Sequence, residues 1–140
     1  MAVDPHLPVR EVLLPGDARG RLLRLDLPIS FWGGVDPVTG CISDPRHPQF
    51  GCCVSDRILA MERVVGSSSG SSVMMELLAI GKAPAGLILA EVDAILTLGV
   101  VVAREMGYGS IPVFLVSSET LGSLPTEILM TEGGEILAKS

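Results

Sequence analysis

The apolar and polar positions in the first third of the chain predict two β-strands followed by a long loop. Residues 9–14 and 20–29 have the alternation of strands, and the first run stops at the Pro-Gly-Asp turn of residues 15–17. Pro28 limits the second strand near its end, because proline cannot donate a hydrogen bond to a sheet. The segment from Ser30 to Gly51 is rich in glycine and proline. Ordered loops of this length usually bind or cover something.

The second half of the chain alternates between buried strands and helices. Short apolar runs predict three buried strands, at residues 57–61, 85–89 and 111–116. A helical stripe covers residues 73–80 and ends at Gly81, as a glycine C-cap would end it. Asp93 can cap a second helix that runs to about residue 106 and closes at Gly107.

These elements predict an α/β domain with a largely parallel sheet, flanking helices and additional strands. Short strand–helix–strand connections favour right-handed crossovers between parallel strands. Residues 126–130 and 135–138 surround Gly133-Gly134 and predict a final hairpin or strand pair. No repeat and no hydrophilic linker divides the chain, so residues 1–140 are expected to form one domain.

The composition indicates a soluble domain with apolar surface to cover. Hydrophobic residues make up 48% and charged residues 19% of the chain, and the mean hydropathy is +0.52. The longest apolar stretch, residues 94–103, is too short for a membrane span, which needs about 20 apolar residues. A partner protein is therefore the expected cover for the excess apolar surface. The N-terminus has no basic start followed by an apolar run, so a cytoplasmic location is expected.

Charge and metal-binding residue types exclude several functions. A net charge of −6 without a Lys/Arg cluster argues against binding to nucleic acid. Cys41, Cys52 and Cys53 lack zinc-site spacing and are expected to be ordinary reduced thiols, with a metal or redox role as the alternative. His47 is expected to be exposed in the long loop and His6 to lie in a frayed tail, which disfavours a catalytic triad.

The strongest candidate site is the Gly-Ser-Ser-Ser-Gly-Ser-Ser turn of residues 66–72. It follows an apolar strand and opens a helix, where unpaired backbone N–H groups and the helix dipole attract anions. The alternative is a flexible connection or a generous N-cap. The turn lacks the lysine of a phosphate-binding P-loop and the spacing of a nucleophile elbow. Glu91 and Asp93 are interpreted as helix caps, which leaves no base near the serines and only part of a catalytic site.

Several motifs together resemble the small swivelling domain of the aconitase X family. They are FWGGVDPVTG, RHPQFG, the serine turn and the following APAGLIL strand, within a likeness that covers about Leu22 to Val116. The resemblance implies a swivelling β/α domain that is fused to, or stands as a small subunit beside, a larger catalytic chain carrying an iron–sulfur cluster. Members of the family dehydrate cis-3-hydroxy-L-proline or phosphomevalonate. A hydro-lyase acting on a small carboxylate substrate is therefore expected, in a cytoplasmic complex that involves neither nucleic acid nor membrane.

The resemblance also implies roles for the residues of the turn. Ser67 matches the family's catalytic serine, and its neighbours would bind substrate: Gly66, Ser68, Ser69, Gly70, Ser71 and Ser72. In better-known aconitases the turn continues into an arginine that binds a substrate carboxylate, whereas Ser69 and Gly70 follow here. The hypothesis from another class is a non-catalytic module that holds a small anion. No residue of this chain is expected to bind metal.

Overall fold

The computed structural model describes residues 6–138, which form eight strands and four helices. The strands are β1 (His6–Leu7), β2 (Glu11–Leu14), β3 (Ala18–Arg24), β4 (Ile58–Met61), β5 (Gly86–Leu89), β6 (Val113–Leu115), β7 (Glu127–Met130) and β8 (Ile136–Ala138). The helices are α1 (Phe31–Gly34), α2 (Gly70–Ile80), α3 (Ile95–Glu105) and α4 (Ser118–Gly122). α1 is a single irregular turn, because Trp32 and Gly33 have non-helical dihedral angles.

All eight strands belong to one sheet with the order β1-β8-β7-β3-β4-β5-β6-β2. The central strands β3, β4, β5 and β6 are parallel, and β2 and β7 add antiparallel strands on either side. The expected fold class and the final hairpin, β7–β8, are confirmed. The helices α2 and α3 are the crossovers that parallel pairing requires.

Strand β3 joins the antiparallel and parallel parts of the sheet. Its first half pairs antiparallel with β7, from Ala18 opposite Met130 to Arg21 opposite Glu127. Its second half, from Leu22 to Arg24, pairs parallel with β4. One strand therefore changes partner along its length, and the sheet curls around this point.

Both faces of the central sheet are buried. Leu59 and Met61 of β4 pack into a cluster with α2 and α3, whereas Ile58 and Ala60 pack into a second cluster with α4 and β7. Burial on both sides explains why the central strands are continuous apolar runs rather than alternating ones. The helices α2 and α3 thus cover one face of the sheet. Their packing places the beginning of α2 beside the sheet.

The N-terminal segment differs from expectation. His6 does not lie in a frayed tail: it opposes Leu137 in the β1–β8 pair, and its Nδ1 lies 3.3 Å from Oε2 of Glu135. Residues 1–5, on which the expected absence of a signal peptide partly rests, lie outside the described residues. Within residues 6–138 no helix is both long and apolar enough to cross a membrane.

The cysteines also differ from expectation. Cys41 and Cys53 oppose each other in an isolated antiparallel bridge and are joined by a disulfide, so the expectation of reduced thiols is wrong for these two. Cys52 is free and half-buried against the core. The disulfide links the two ends of the segment between residues 41 and 53, which contains Asp44, Arg46 and His47.

Candidate active site on the serine turn

The serine turn follows Val65 near the carboxyl end of β4, and its last three residues, Gly70, Ser71 and Ser72, form the beginning of α2. This edge of a parallel sheet is the usual place for a ligand site, because strand ends and helix beginnings meet there. Gly66 has a φ of +100°, which favours glycine, and a Cβ at this position would lie 2.7 Å from Ser30 Oγ. The turn is therefore packed directly against the beginning of the long loop.

Backbone geometry gives Ser67 a particular environment. The Gly70 N–H donates to the Ser67 carbonyl at 2.9 Å, which starts the first turn of α2. The Ser67 Oγ accepts a hydrogen bond from the Ser69 N–H at 3.1 Å. Within residues 6–138, the N–H groups of Ser67 and Ser68 have no acceptor. These N–H groups and the helix dipole can stabilise a negative charge at this place.

The five hydroxyls of the turn are not equivalent. Ser71 Oγ donates to the Ser68 carbonyl at 2.7 Å, and Ser72 Oγ donates to the Ser69 carbonyl at 2.8 Å. Ser67, Ser68 and Ser69 are exposed. The first three serines are thus exposed, and the hydroxyls of the last two donate to carbonyls of the turn's own backbone.

Gly70 is the buried member of the turn. A Cβ on Gly70 would lie 3.2 Å from Ile95 Cγ2 and 3.6 Å from Phe31 Cβ. Its role in the structure is close packing between α1, α2 and α3. A substrate contact from this residue would have to come from its backbone.

Of the two acidic residues interpreted as helix caps, Asp93 is a cap, whereas Glu91 makes no hydrogen bond within residues 6–138 and the interpretation is wrong for it. Asp93 is buried, its Oδ1 accepts the Ile95 N–H at 2.9 Å, and its Oδ2 accepts the Thr97 N–H at 2.9 Å. It therefore caps α3, while Glu91 is exposed. Neither carboxylate hydrogen-bonds to the serine turn. Among residues 6–138, Ser67 has no hydrogen bond to an imidazole or a carboxylate.

His47 is not an exposed loop residue, contrary to expectation. It is only 7% exposed, its Nδ1 accepts the Gln49 N–H at 3.0 Å, and its Nε2 lies 2.9 Å from the Leu27 carbonyl. Because Nδ1 is an acceptor, Nε2 carries the proton and donates. Both ring nitrogens are engaged, so this histidine anchors the loop and is not available as a catalytic base.

The long loop forms a pocket that the sequence did not reveal. The pocket has a volume of about 630 Å³ and is open to solvent. It is lined by Pro28, Ile29, Ser30, Trp32, Gly33, Gly34, Ser43, Asp44, Pro45, Arg46, His47 and Val65. Ser30 lines this pocket and also contacts Gly66 of the serine turn. Trp32, which is 60% exposed, gives the pocket an aromatic edge.

Asp44 and Arg46 form a local pair in this pocket. Asp44 Oδ1 accepts the Arg46 N–H at 2.9 Å and the Arg46 Nε–H at 3.3 Å. The backbone N–H and the guanidinium of Arg46 together hold the pKa of Asp44 below its ordinary value. The DPR sequence is a signal for such an Asx turn, but its position beside residues 28–34 is tertiary. The residues described include no group of three or more His, Cys, Asp and Glu placed to hold a metal ion.

Comparison with known protein families gives one match over most of the chain. The profile of the aconitase X swivel domain matches residues 8–132. The structure of aconitase X from Thermococcus kodakaraensis in its holo-form superposes with a TM-score of 0.84 at 29% identity, covering 97% of this chain and 99% of that chain.

Curated proteins of two kinds are similar in sequence to this chain, namely cis-3-hydroxy-L-proline dehydratases and phosphomevalonate dehydratase small subunits. Cis-3-hydroxy-L-proline dehydratase of Hypocrea jecorina is 49% identical over 73% of this chain, and that of Pseudomonas aeruginosa is 44% identical over 77%. The chain spans only 17% and 19% of the length of these two proteins. The phosphomevalonate dehydratase small subunit of Methanopyrus kandleri is 39% identical over 80% of this chain, which spans 72% of that subunit.

Proposed function

Because the chain belongs to the aconitase X swivel-domain family, we propose that it is the small subunit of a hydro-lyase that dehydrates a small hydroxylated carboxylic acid. The observation that carries the proposal is the 49% and 44% identity to cis-3-hydroxy-L-proline dehydratases. Cis-3-hydroxy-L-proline is therefore the proposed substrate. The second candidate is phosphomevalonate, which is favoured by the 39% identity to a phosphomevalonate dehydratase small subunit.

The proposal includes a large partner subunit. The hydroxyproline relatives are more than five times longer than the part that this chain matches, and the phosphomevalonate dehydratase relatives are named small subunits. The exposed serine turn supplies N–H donors and hydroxyls but no second acid or base. A partner that covers the turn would complete the site and exclude water from it.

Ser67 is the proposed base. Its Oγ, as an alkoxide, takes a proton from the carbon next to the hydroxyl-bearing carbon, and the C–H electron pair becomes the new double bond. The C–O bond breaks, and the hydroxyl leaves as water after taking a proton from an acid–base group that the proposed partner would supply. The same group would have accepted the Ser67 proton when the alkoxide formed, so Ser67 ends as the neutral hydroxyl and the substrate loses one water. The Ser69 N–H, 3.1 Å from Ser67 Oγ, stabilises the alkoxide, as do the free N–H groups and the dipole of α2.

The Lewis acid for the leaving hydroxyl is proposed to lie in the partner. An iron–sulfur cluster carried by the large subunit would polarise the C–O bond when bound. The groups of this chain that meet the substrate are then the base, the turn's N–H donors and the hydroxyls of Ser68 and Ser69. Ser71 and Ser72 would support the site by holding the first turn of α2 in shape.

Reconstitution tests the proposal. The chain alone, the large subunit alone and the complex are each assayed for loss of water from cis-3-hydroxy-L-proline and from phosphomevalonate. We expect turnover only in an iron-containing, coloured complex, and with the proline substrate. Activity of the carefully purified small chain alone would contradict the two-subunit proposal. A colourless monomer that binds inorganic phosphate and never associates with a large chain would instead support an anion-binding module.

A further inference from the structure

The pocket formed by the long loop shares a wall with the serine turn. Val65, which lines the pocket, directly precedes Gly66, and the Val65 N–H donates to the Ile29 carbonyl at 3.2 Å. Ser30, in the same wall, lies so close to Gly66 that no side chain fits between them. A ligand that occupies the pocket would therefore lie next to the turn that carries Ser67.

The pocket is lined by one guanidinium group, that of Arg46. Arg46 is the only lining residue with a permanent positive charge, and its side chain is 90% exposed. Asp44 Oδ1 accepts hydrogen bonds from the backbone N–H and the Nε–H of Arg46. Among residues 6–138 the two Nη groups have no hydrogen-bond partner. The outer edge of the guanidinium is thus free for a planar anion, for which its geometry is suited.

The backbone that carries Arg46 is fixed on its other side by His47. The buried imidazole of His47 bonds to the Leu27 carbonyl and to the Gln49 N–H. Leu27 directly precedes the first lining residue of the pocket, Pro28. Asp44 bonds to Arg46 itself, and His47 directly follows it, so the backbone at Arg46 is held in place before a ligand binds. Such preorganisation reduces the entropy lost on binding.

We propose that Arg46 binds the carboxylate of the substrate in this pocket while the adjacent carbon is presented to Ser67. The inference rests on the proposed function and adds the residue that recognises the acid group. A carboxylate is common to cis-3-hydroxy-L-proline and phosphomevalonate, so the role does not depend on which is the substrate. The serine turn itself carries no cation, and the N–H donors beside Ser67 remain free to stabilise its alkoxide.

Kinetics of the reconstituted complex test the role of Arg46. Arg46→Gln removes the charge and the fork, and Arg46→Lys keeps only the charge. A charge-assisted bidentate contact is worth about 10- to 100-fold in affinity. The KM for cis-3-hydroxy-L-proline is therefore expected to rise by about that factor in Arg46→Gln, and by less in Arg46→Lys, with little change in kcat. Arg104→Gln is the matched control, because Arg104 is also exposed and faces a neighbouring carboxylate, Glu105.

A second substrate form separates recognition of the acid from a general loss of structure. The carboxamide of cis-3-hydroxy-L-proline has no charge for Arg46 to bind. The wild-type complex is expected to prefer the acid strongly, and Arg46→Gln to lose most of this preference. An unchanged preference, or an equal effect of Arg104→Gln, would overturn the inference while leaving the proposed function intact.

Failure of the proposed function has a different signature. A wild-type complex that dehydrates no hydroxy acid overturns the function itself. Calorimetric titration of cis-3-hydroxy-L-proline into that complex then decides the inference separately. Binding that weakens about 10- to 100-fold in Arg46→Gln supports a carboxylate site, whereas equal affinity or no binding to the wild type removes it.

Discussion

Gly99 of α3 lies against the backbone of Ser71 in the first turn of α2. A Cβ at residue 99 would lie 2.5 Å from the Ser71 carbonyl oxygen and 3.1 Å from Met74 Cβ. The contact is to backbone, so a side chain at residue 99 cannot be accommodated by a rotamer change. The absence of a side chain here lets the two helices approach and holds the serine turn in place.

Gly99→Ala is expected to destabilise the domain. Alanine favours the helix by about 1 kcal/mol, but an overpacked contact typically costs about 1–3 kcal/mol, and this one is with backbone. We expect a lower free energy of unfolding in urea and lower turnover of the complex. Gly122→Ala is the control, because a Cβ there meets nothing within 4 Å. Equal stability of the two variants would show that the helices separate at no cost.

Ser67→Ala is expected to abolish most proton abstraction. Loss of a general base typically lowers the rate by about 10²–10⁴-fold, and KM should change little, because the backbone donors stay in place. The variant also loses the acceptor for the Ser69 N–H, so a stability loss of about 1 kcal/mol is expected. Stopped turnover together with lost solvent-hydrogen exchange at the substrate's acidic carbon checks the assignment.

Ser72→Ala is the matched control for this serine. Its hydroxyl donates only to the Ser69 carbonyl, so it should affect stability more than chemistry. A nearly normal rate in Ser67→Ala with an inactive Ser68→Ala or Ser69→Ala would assign the base to another serine. Normal rates in all serine variants would exclude the turn from catalysis.

Asp44 is expected to titrate below the ordinary carboxyl value of 3.8, mainly because it accepts the Arg46 N–H and secondly because the guanidinium is adjacent. A lowered folded-state pKa stabilises the native loop above the unfolded-state pKa. This contribution is lost as the pH falls through the folded-state pKa. Carboxyl NMR titration measures it. In Arg46→Gln the pKa should rise only in part, because the backbone N–H remains; no rise would mean that the guanidinium does not act on Asp44.

The Cys41–Cys53 disulfide is expected to stabilise the loop. It closes a separation of 12 residues, and loops of about this length gain about 3 kcal/mol. Reductant should therefore lower the Tm of the wild type and of Cys52→Ser, but not that of Cys41→Ser. Identical Tm values with and without reductant would contradict the bond.

The triple Cys→Ser variant should still form a complex with full iron content, because the spacing of these cysteines suits no common iron–sulfur pattern.

The central sheet could be predicted because its signal is local. The runs Ile58–Met61 and Gly86–Leu89 are wholly buried, and an unbroken apolar run is the pattern for a strand covered on both faces. The end of α2 was equally predictable, because Gly81 adopts the left-handed conformation that its residue type favours. The serine turn was recognised for the same reason, from its place between a strand and a helix.

The remaining features depend on partners far along the chain. The short strand His6–Leu7 exists because β8 is beside it, and its own sequence carries little strand signal. His47 is buried by bonds to Leu27 and Gln49, although its RHP context is polar. The pocket around Arg46 requires residues 28–34 and 43–47 to lie together, and the hydrophobic periodicity of the sequence does not predict this contact. The proposed binding site for the acid group therefore depends on the tertiary structure of the loop and has no local sequence signal.

The pairing of β1 with β8 fixes when the domain can become complete during synthesis. His6 leaves the ribosome long before its partner Leu137, because the two residues lie far apart along the chain. Strand β3 likewise waits for β7, although its other neighbour, β4, is already available. Non-local pairings of this kind slow folding and leave strand edges open in the meantime. The nascent chain should therefore hold an unfinished sheet, with open strand edges, until the residues of β8 have emerged.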